Sequence, residues 1–138
     1  MKVKQIAVFL ENRKGRLCDF AKILHEANIN IKGMYIADTT DYGILRVITN
    51  DNDKAMKVLK ENGFNTTVTE LIGFKVADKP GEMHKVLKLL NDSNVDISYL
   101  YSYSELGSNQ AAILIKVEDN DFVSKLLLSN NVEPFIEN

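Results

Sequence analysis

Short runs of alternating apolar and polar residues, separated by stretches with a helical period, recur in the same order in both halves of the chain. Ile6, Val8 and Leu10 alternate with Ala7, Phe9 and Glu11, which predicts a strand with one core face. Leu17, Phe20 or Ala21, Leu24 and Ala27 then fall on one helical stripe. Asn28-Ile29-Asn30 ends that helix, and Ile31 to Ala37 reads as a second strand. Thr39-Thr40-Asp41 is turn chemistry, and Gly43, Leu45 and Val47 share a face of a third strand. A helix from Lys54 to Glu61 follows, closed by Asn62-Gly63, with Gly63 suited to the left-handed position after a helix end. Phe64 to Thr69 is a fourth strand. The second half predicts strands over 72–77, 95–104, 110–117 and 132–136, with helices over 82–91 and 121–129.

The halves are copies. At an offset of 66 residues Ile6 meets Ile72, Gly15 meets Gly81, Leu24 meets Leu90, Asn28 meets Asn94 and Tyr35 meets Tyr101. Past the second strand the offset becomes 70, so Leu45 meets Ile115 and Val47 meets Val117. The four extra residues fall in the Glu105-Leu106-Gly107-Ser108-Asn109 turn. The pattern predicts an α+β protein of two ferredoxin-like βαββαβ units in tandem, over residues 1–70 and 71–138, with almost no linker at Glu70. Each unit is an antiparallel sheet with its helices on one face. A unit this small buries little surface alone, so the units, or two chains, are expected to pair side by side.

Between the first strand and first helix of the second half lies Asp78-Lys79-Pro80-Gly81-Glu82-Met83, and its copy is Asn12-Arg13-Lys14-Gly15-Arg16-Leu17. Pro80 fixes φ and Gly81 frees it, so the chain can reverse tightly. The helix start beyond leaves unpaired N–H groups with partial positive charge, a seat for a small anion.

A βαββαβ unit whose first turn reads Asn/Asp-x-Pro-Gly-x-Leu, followed by an Asn-Ile-Asn-Ile type second strand, resembles the ACT domain. The second half carries Asp78-x-Pro80-Gly81-x-Met83 and Asn94-Val95-Asp96-Ile97. The first carries Asn12-x-x-Gly15-x-Leu17 and Asn28-Ile29-Asn30-Ile31, with Lys14 where the family usually has proline. The resemblance covers nearly the whole chain. It implies a regulatory module for small molecules, mostly free amino acids, with domains commonly paired into an eight-stranded sheet. It also implies a ligand site between paired domains, at the first turn and the start of the second strand. Transferred onto this chain, the candidate ligand-binding residues are Asn12, Gly15, Leu17, Asn30 and Ile31, then Asp78, Gly81, Met83, Asp96 and Ile97. An amino acid's carboxylate needs N–H donors, which the turns supply, and its ammonium needs oxygen acceptors. Two carboxylates in the second half stand where the first has two amides, so the second half is expected to hold the ammonium more strongly.

Composition narrows the alternatives. In 138 residues, hydrophobic content of 45% and charged content of 26% fit a soluble globular protein. A net charge of −2 gives no basic field for nucleic acid. No membrane-length apolar run and no signal-peptide pattern are present, and a single cysteine excludes an internal disulfide, so a cytoplasmic location is expected. Tyr99, Tyr101 and Tyr103 share one sheet face and could stack bases. Without a basic cluster, packing against another sheet or flanking the ligand site is the stronger reading. Cys18 and His84 are equivalent positions, but no metal-binding spacing accompanies them. Asp51-Asn52-Asp53 and Asp119-Asn120-Asp121 look faintly like calcium loops yet lack the glutamate twelve positions on, and helix capping explains them better. Asp78 could be a ligand group or the cap of its helix. No catalytic constellation is present and no cofactor is implied. The expected function is an amino-acid-binding sensor, a homodimer acting on a separately encoded enzyme or transporter. The alternative is a ligand-free structural or protein-protein interaction module.

Overall fold

The structure is a computed structural model, and it describes residues 1–11, 13–38, 42–103 and 109–136. The elements are β1 (Lys2–Glu11), α1 (Arg16–Glu26), β2 (Ile31–Asp38), β3 (Tyr42–Thr49), α2 (Asn52–Glu61), β4 (Asn65–Ala77), α3 (Glu82–Asp92), β5 (Tyr99–Tyr103), β6 (Gln110–Lys116), α4 (Asn120–Ser129) and β7 (Glu133–Pro134). The chain divides into two compact units. The first is Lys4–Thr69; the second joins Met1–Val3 to Glu70–Asn138. β4 runs unbroken across that boundary, merging the last predicted strand of one half with the first of the other.

In the first unit the strand order is β2-β3-β1-β4, and β3 pairs antiparallel with both β1 and β2. Ile6, Val8, Leu10, Leu45 and Val47 point to the helices and meet Phe20, Leu24, Ala55 and Leu59 in one core. Phe20, not Ala21, is the buried member of the α1 stripe. In the second unit β6 lies between β4 and β5, and β7 pairs with β4. Its core sets Ile72, Phe74, Ile113 and Ile115 against Val86, Leu90, Val123 and Leu127. Two strands are shorter than the pattern suggests. β5 starts at Tyr99, because 95–98 close the helix and return the chain to the sheet. β7 covers only Glu133 and Pro134: Val132 N–H closes α4 at Leu127 O, and beyond the proline a single bond, Phe135 N–H to Gly73 O at 3.0 Å, continues the pairing.

All four helices end the same way. Asn28, Gly63, Asn94 and Asn131 each take a positive φ one residue past the cap. The next N–H reaches back to the helix: Ile29 to Leu24 O at 2.9 Å, Phe64 to Leu59 O at 3.0 Å, Val95 to Leu90 O at 3.0 Å and Val132 to Leu127 O at 3.0 Å. This is the Schellman closure, with its apolar pair between the returning residue and the last turn. Asn28 and Asn94, which open the family-like motif of the second strand, are therefore helix terminators.

Candidate functional site

The two turns after β1 and β4 close identically. Arg13 N–H donates to Glu11 O at 2.7 Å and Lys79 N–H to Ala77 O at 2.9 Å. Asp19 N–H reaches Gly15 O at 2.9 Å and Lys85 N–H reaches Gly81 O at 3.2 Å. Lys14 in place of proline leaves this pattern unchanged. Gly15 (φ 88°) and Gly81 (φ 92°) are the N-cap residues, left-handed, and among the described residues no side chain caps either helix. Asp78 is consequently not the cap of α3; its N–H donates to Asn109 O at 2.9 Å and its side chain is exposed.

The other two helix starts are sealed. Asp51 accepts from Lys54 N–H at 3.0 Å and Asp119 from Phe122 N–H at 3.0 Å. The acidic clusters there are capping groups, and no metal-binding group of three His, Cys, Asp or Glu occurs among the described residues. So α2 and α4 each have one N–H held by an aspartate, whereas at α1 and α3 the first N–H turns back to Arg13 O (3.3 Å) or Lys79 O (3.4 Å) and no carboxylate among the described residues bonds the N–H groups that follow.

The remaining candidates spread out. Asn12 lies outside the described residues, as do the predicted turns at 39–41 and 105–108. Leu17 is 41% exposed at the start of α1. Ile31, Met83 and Ile97 are half-buried and pack on the two cores, so they shape their units from within. Asn30 exchanges bonds with Asn50: its N–H donates to Asn50 Oδ1 at 2.9 Å, and its carbonyl accepts from Asn50 N–H at 3.1 Å. Asp96 is exposed and lines a cleft of about 680 Å³ with Lys2, Glu70, Glu118, Asp119 and Asp121. Sequence inspection alone did not group these residues, because the chain's first residues and α4 are far from Asp96 in sequence.

Within that cleft Lys2 Nζ lies 2.7 Å from Asp121 and 3.6 Å from Glu70. The hydrogen bond to Asp121 is the main cause of a raised Lys2 pKa, and the same bond holds the Asp121 carboxyl below its ordinary value. At the α3 start, Lys85 bonds Glu82 at 2.8 Å and lowers the Glu82 pKa.

Turn and second-strand candidates of one unit do not meet. Ala77, before the turn, pairs with Gln110 at one end of β6, whereas Ser98 N–H reaches Lys116 O at the other end. Six residues of β-strand separate the two levels, about 20 Å. In the first unit Glu11 and Ile31 likewise pair with opposite ends of β3.

Tyr99, Tyr101 and Tyr103 do share a face. Their partners Lys116, Leu114 and Ala112 put them on the side away from the helices. Tyr101 is buried and the Tyr103 ring lies 4.6 Å from that of Phe135, so the row packs within its own unit.

No helix among the described residues is long and apolar enough to cross a membrane. The family model described as an ACT domain pair matches residues 1–138. The crystal structure of protein BT0572 from Bacteroides thetaiotaomicron is 37% identical, covers 98% of this chain and 92% of its own, and superposes with a TM-score of 0.91. The fold is also that of the aspartate kinase regulatory subunits from Thermus thermophilus and Thermus flavus. These are 13% and 11% identical, with TM-scores of 0.62 and 0.63, covering 93% and 95% of this chain and 90% and 94% of theirs. No curated protein sequence matches the chain. Two βαββαβ units with matching glycine-opened turns, and a family model spanning them both, place the chain in the ACT domain pair family.

Proposed function

We propose that this chain is a regulatory module that binds a free amino acid and has no catalytic role of its own. The observation that carries this reading is the contrast between helix starts: α2 and α4 are capped by aspartates, while at α1 and α3 a left-handed glycine takes the cap position and, among the described residues, no side chain bonds the N–H groups beyond the first. Open N–H groups suit a ligand carboxylate. Asp78 and Asp96 are exposed acceptors for its ammonium. Their separation of about 20 Å within one unit means that a small ligand touching both draws them from different copies of the fold. A second chain is one source of that copy. Met34 and Leu100, equivalent positions on the edge strands β2 and β5, are 43% and 42% exposed and offer apolar surface for such pairing. A ligand that bridges two chains shifts their assembly by its differential affinity, and the assembly then acts on a separately encoded enzyme or transporter.

Thermal-shift and calorimetric screening against the twenty amino acids tests the reading. One of them is expected to stabilise the protein at millimolar concentration or below. Asp96→Ala and Asp78→Ala are each expected to weaken binding about tenfold, the worth of one charge-assisted hydrogen bond. If no amino acid stabilises the protein, the interaction-module alternative, favoured by the exposed apolar edge positions, takes its place.

A further inference from the structure

Both units carry an equivalent cleft between the start of their first helix and the start of their last strand. In the first unit it measures about 300 Å³ and is lined by Phe9, Leu10, Glu11, Arg16, Gly63 and Asn65. In the second it measures about 460 Å³, and Lys75, Val76, Ala77, Glu82, Asn131 and Glu133 stand at the corresponding places. The duplicated clefts differ in charge at four of these six places, and at one of them the sign reverses. In the second unit that position is Glu82, whose carboxylate is engaged by Lys85 at 2.8 Å and Lys79 at 3.9 Å. In the first unit it is Arg16, and no acidic residue answers it among the described residues.

Arg16 is held rather than loose. Its guanidinium carbon lies 3.8 Å from the centroid of the Phe64 ring. Its Nε is closed off from solvent and meets no acceptor, while the two Nη groups are not shut in this way. A guanidinium stacked on an aromatic ring keeps its plane, so little rotamer freedom is left to lose on binding.

We infer that the first-unit cleft is a carboxylate-binding site with Arg16 as its anchor. The planar fork of the guanidinium matches a carboxylate through two parallel bonds. Glu11, the other charged group of the cleft, disfavours a dianion such as phosphate and accommodates a neighbouring ammonium. That the ligand is a free amino acid rests on the function proposed above; that the cleft takes a carboxylate rests on Arg16 alone. The site uses a side chain instead of the open N–H groups of the turn. The arginine anchor belongs to the first unit only, because Glu82 stands at its place in the second.

The buried Arg16 Nε–H gives a direct reporter by ¹H–¹⁵N NMR on the full chain. Acetate, inorganic phosphate and each of the twenty amino acids are titrated to millimolar concentrations and above. Acetate is expected to shift the Arg16 Nε–H resonance saturably, and one amino acid to do so at lower concentration. Arg16→Gln should abolish acetate binding and Arg16→Lys weaken it about tenfold, with circular dichroism unchanged. An Arg16 resonance unmoved by every carboxylate, tighter binding of phosphate than of acetate, or unaltered acetate affinity in Arg16→Gln overturns the site. A shift with acetate but with no amino acid supports the site and sinks the amino-acid reading. An amino acid that stabilises the protein without moving Arg16 Nε–H sinks the site and leaves that reading standing.

Discussion

Glycine has two distinct jobs in this molecule. At Gly15 and Gly81 a Cβ would meet open space, and only the left-handed φ demands glycine. At Gly73 the backbone is extended, and the obstacle is room: a Cβ would lie 2.9 Å from Val3 Cγ2 and 3.0 Å from Phe135 Cδ1. Gly73→Ala is therefore expected to destabilise the second unit by about 1–3 kcal/mol through overpacking, measured by denaturant unfolding. Gly81→Ala is expected to cost about 1–2 kcal/mol through backbone strain without altering the core. The Lys2–Asp121 pair sets a pH dependence. The Asp121 pKa is depressed in the fold, so its contribution is present at neutral pH and lost as pH falls through that depressed value. The Lys2 pKa is raised above 10.5, so its contribution is present below that value and lost as pH rises through the folded one. Lys2→Gln is expected to lower stability slightly at neutral pH and to leave it unchanged at strongly acid pH. An equal effect at both pH values would show that the loss comes from packing.

At the level of elements, helix ends separate structure from function. Asp51 and Asp119 serve as caps: the Oδ1 of each accepts from a helix N–H, Lys54 and Phe122. Asp119→Ala is expected to cost about 1 kcal/mol of stability and leave ligand affinity alone, whereas Asp78→Ala should do the reverse. Paired thermal-melt and calorimetric measurements on the two variants distinguish these outcomes. The helix pattern and the capping role of Asp51 and Asp119 were legible because both follow from spacing and side-chain chemistry. The role of Asp78 was not. A glycine N-cap and an aspartate three residues earlier fit the same string of residues, and only the dihedral angles separate them. The Asn28 and Asn94 motifs were similarly ambiguous, since a helix terminator and the start of a second strand occupy adjacent residues.

At the level of the whole molecule, the first three residues belong to the unit made mostly of the second half. Met1 O accepts from Gly73 N–H at 2.7 Å, Lys2 reaches Asp121, and Val3 is buried. Deleting residues 1–3 is expected to lower amide protection across β4, β6 and α4 more than across α1 and α2, as read by hydrogen exchange. For the assembly, the separation of turn and second-strand candidates predicts that the active amino acid raises the measured mass in light scattering. A ligand that binds without changing the mass would place its whole site in one chain.

The sequence by itself determined the duplication, the βαββαβ order, the core stripes and the aspartate caps of α2 and α4. Each of these depends on contacts a few residues apart, or on a periodicity that any copy of the fold repeats. Tertiary structure decided the rest. It placed Lys2 beside Asp121, put Asp78 and Asp96 at opposite ends of β6, and laid Arg16 on Phe64. These are relations between residues distant along the chain, set by strand register and side-chain packing, and no local pattern encodes them.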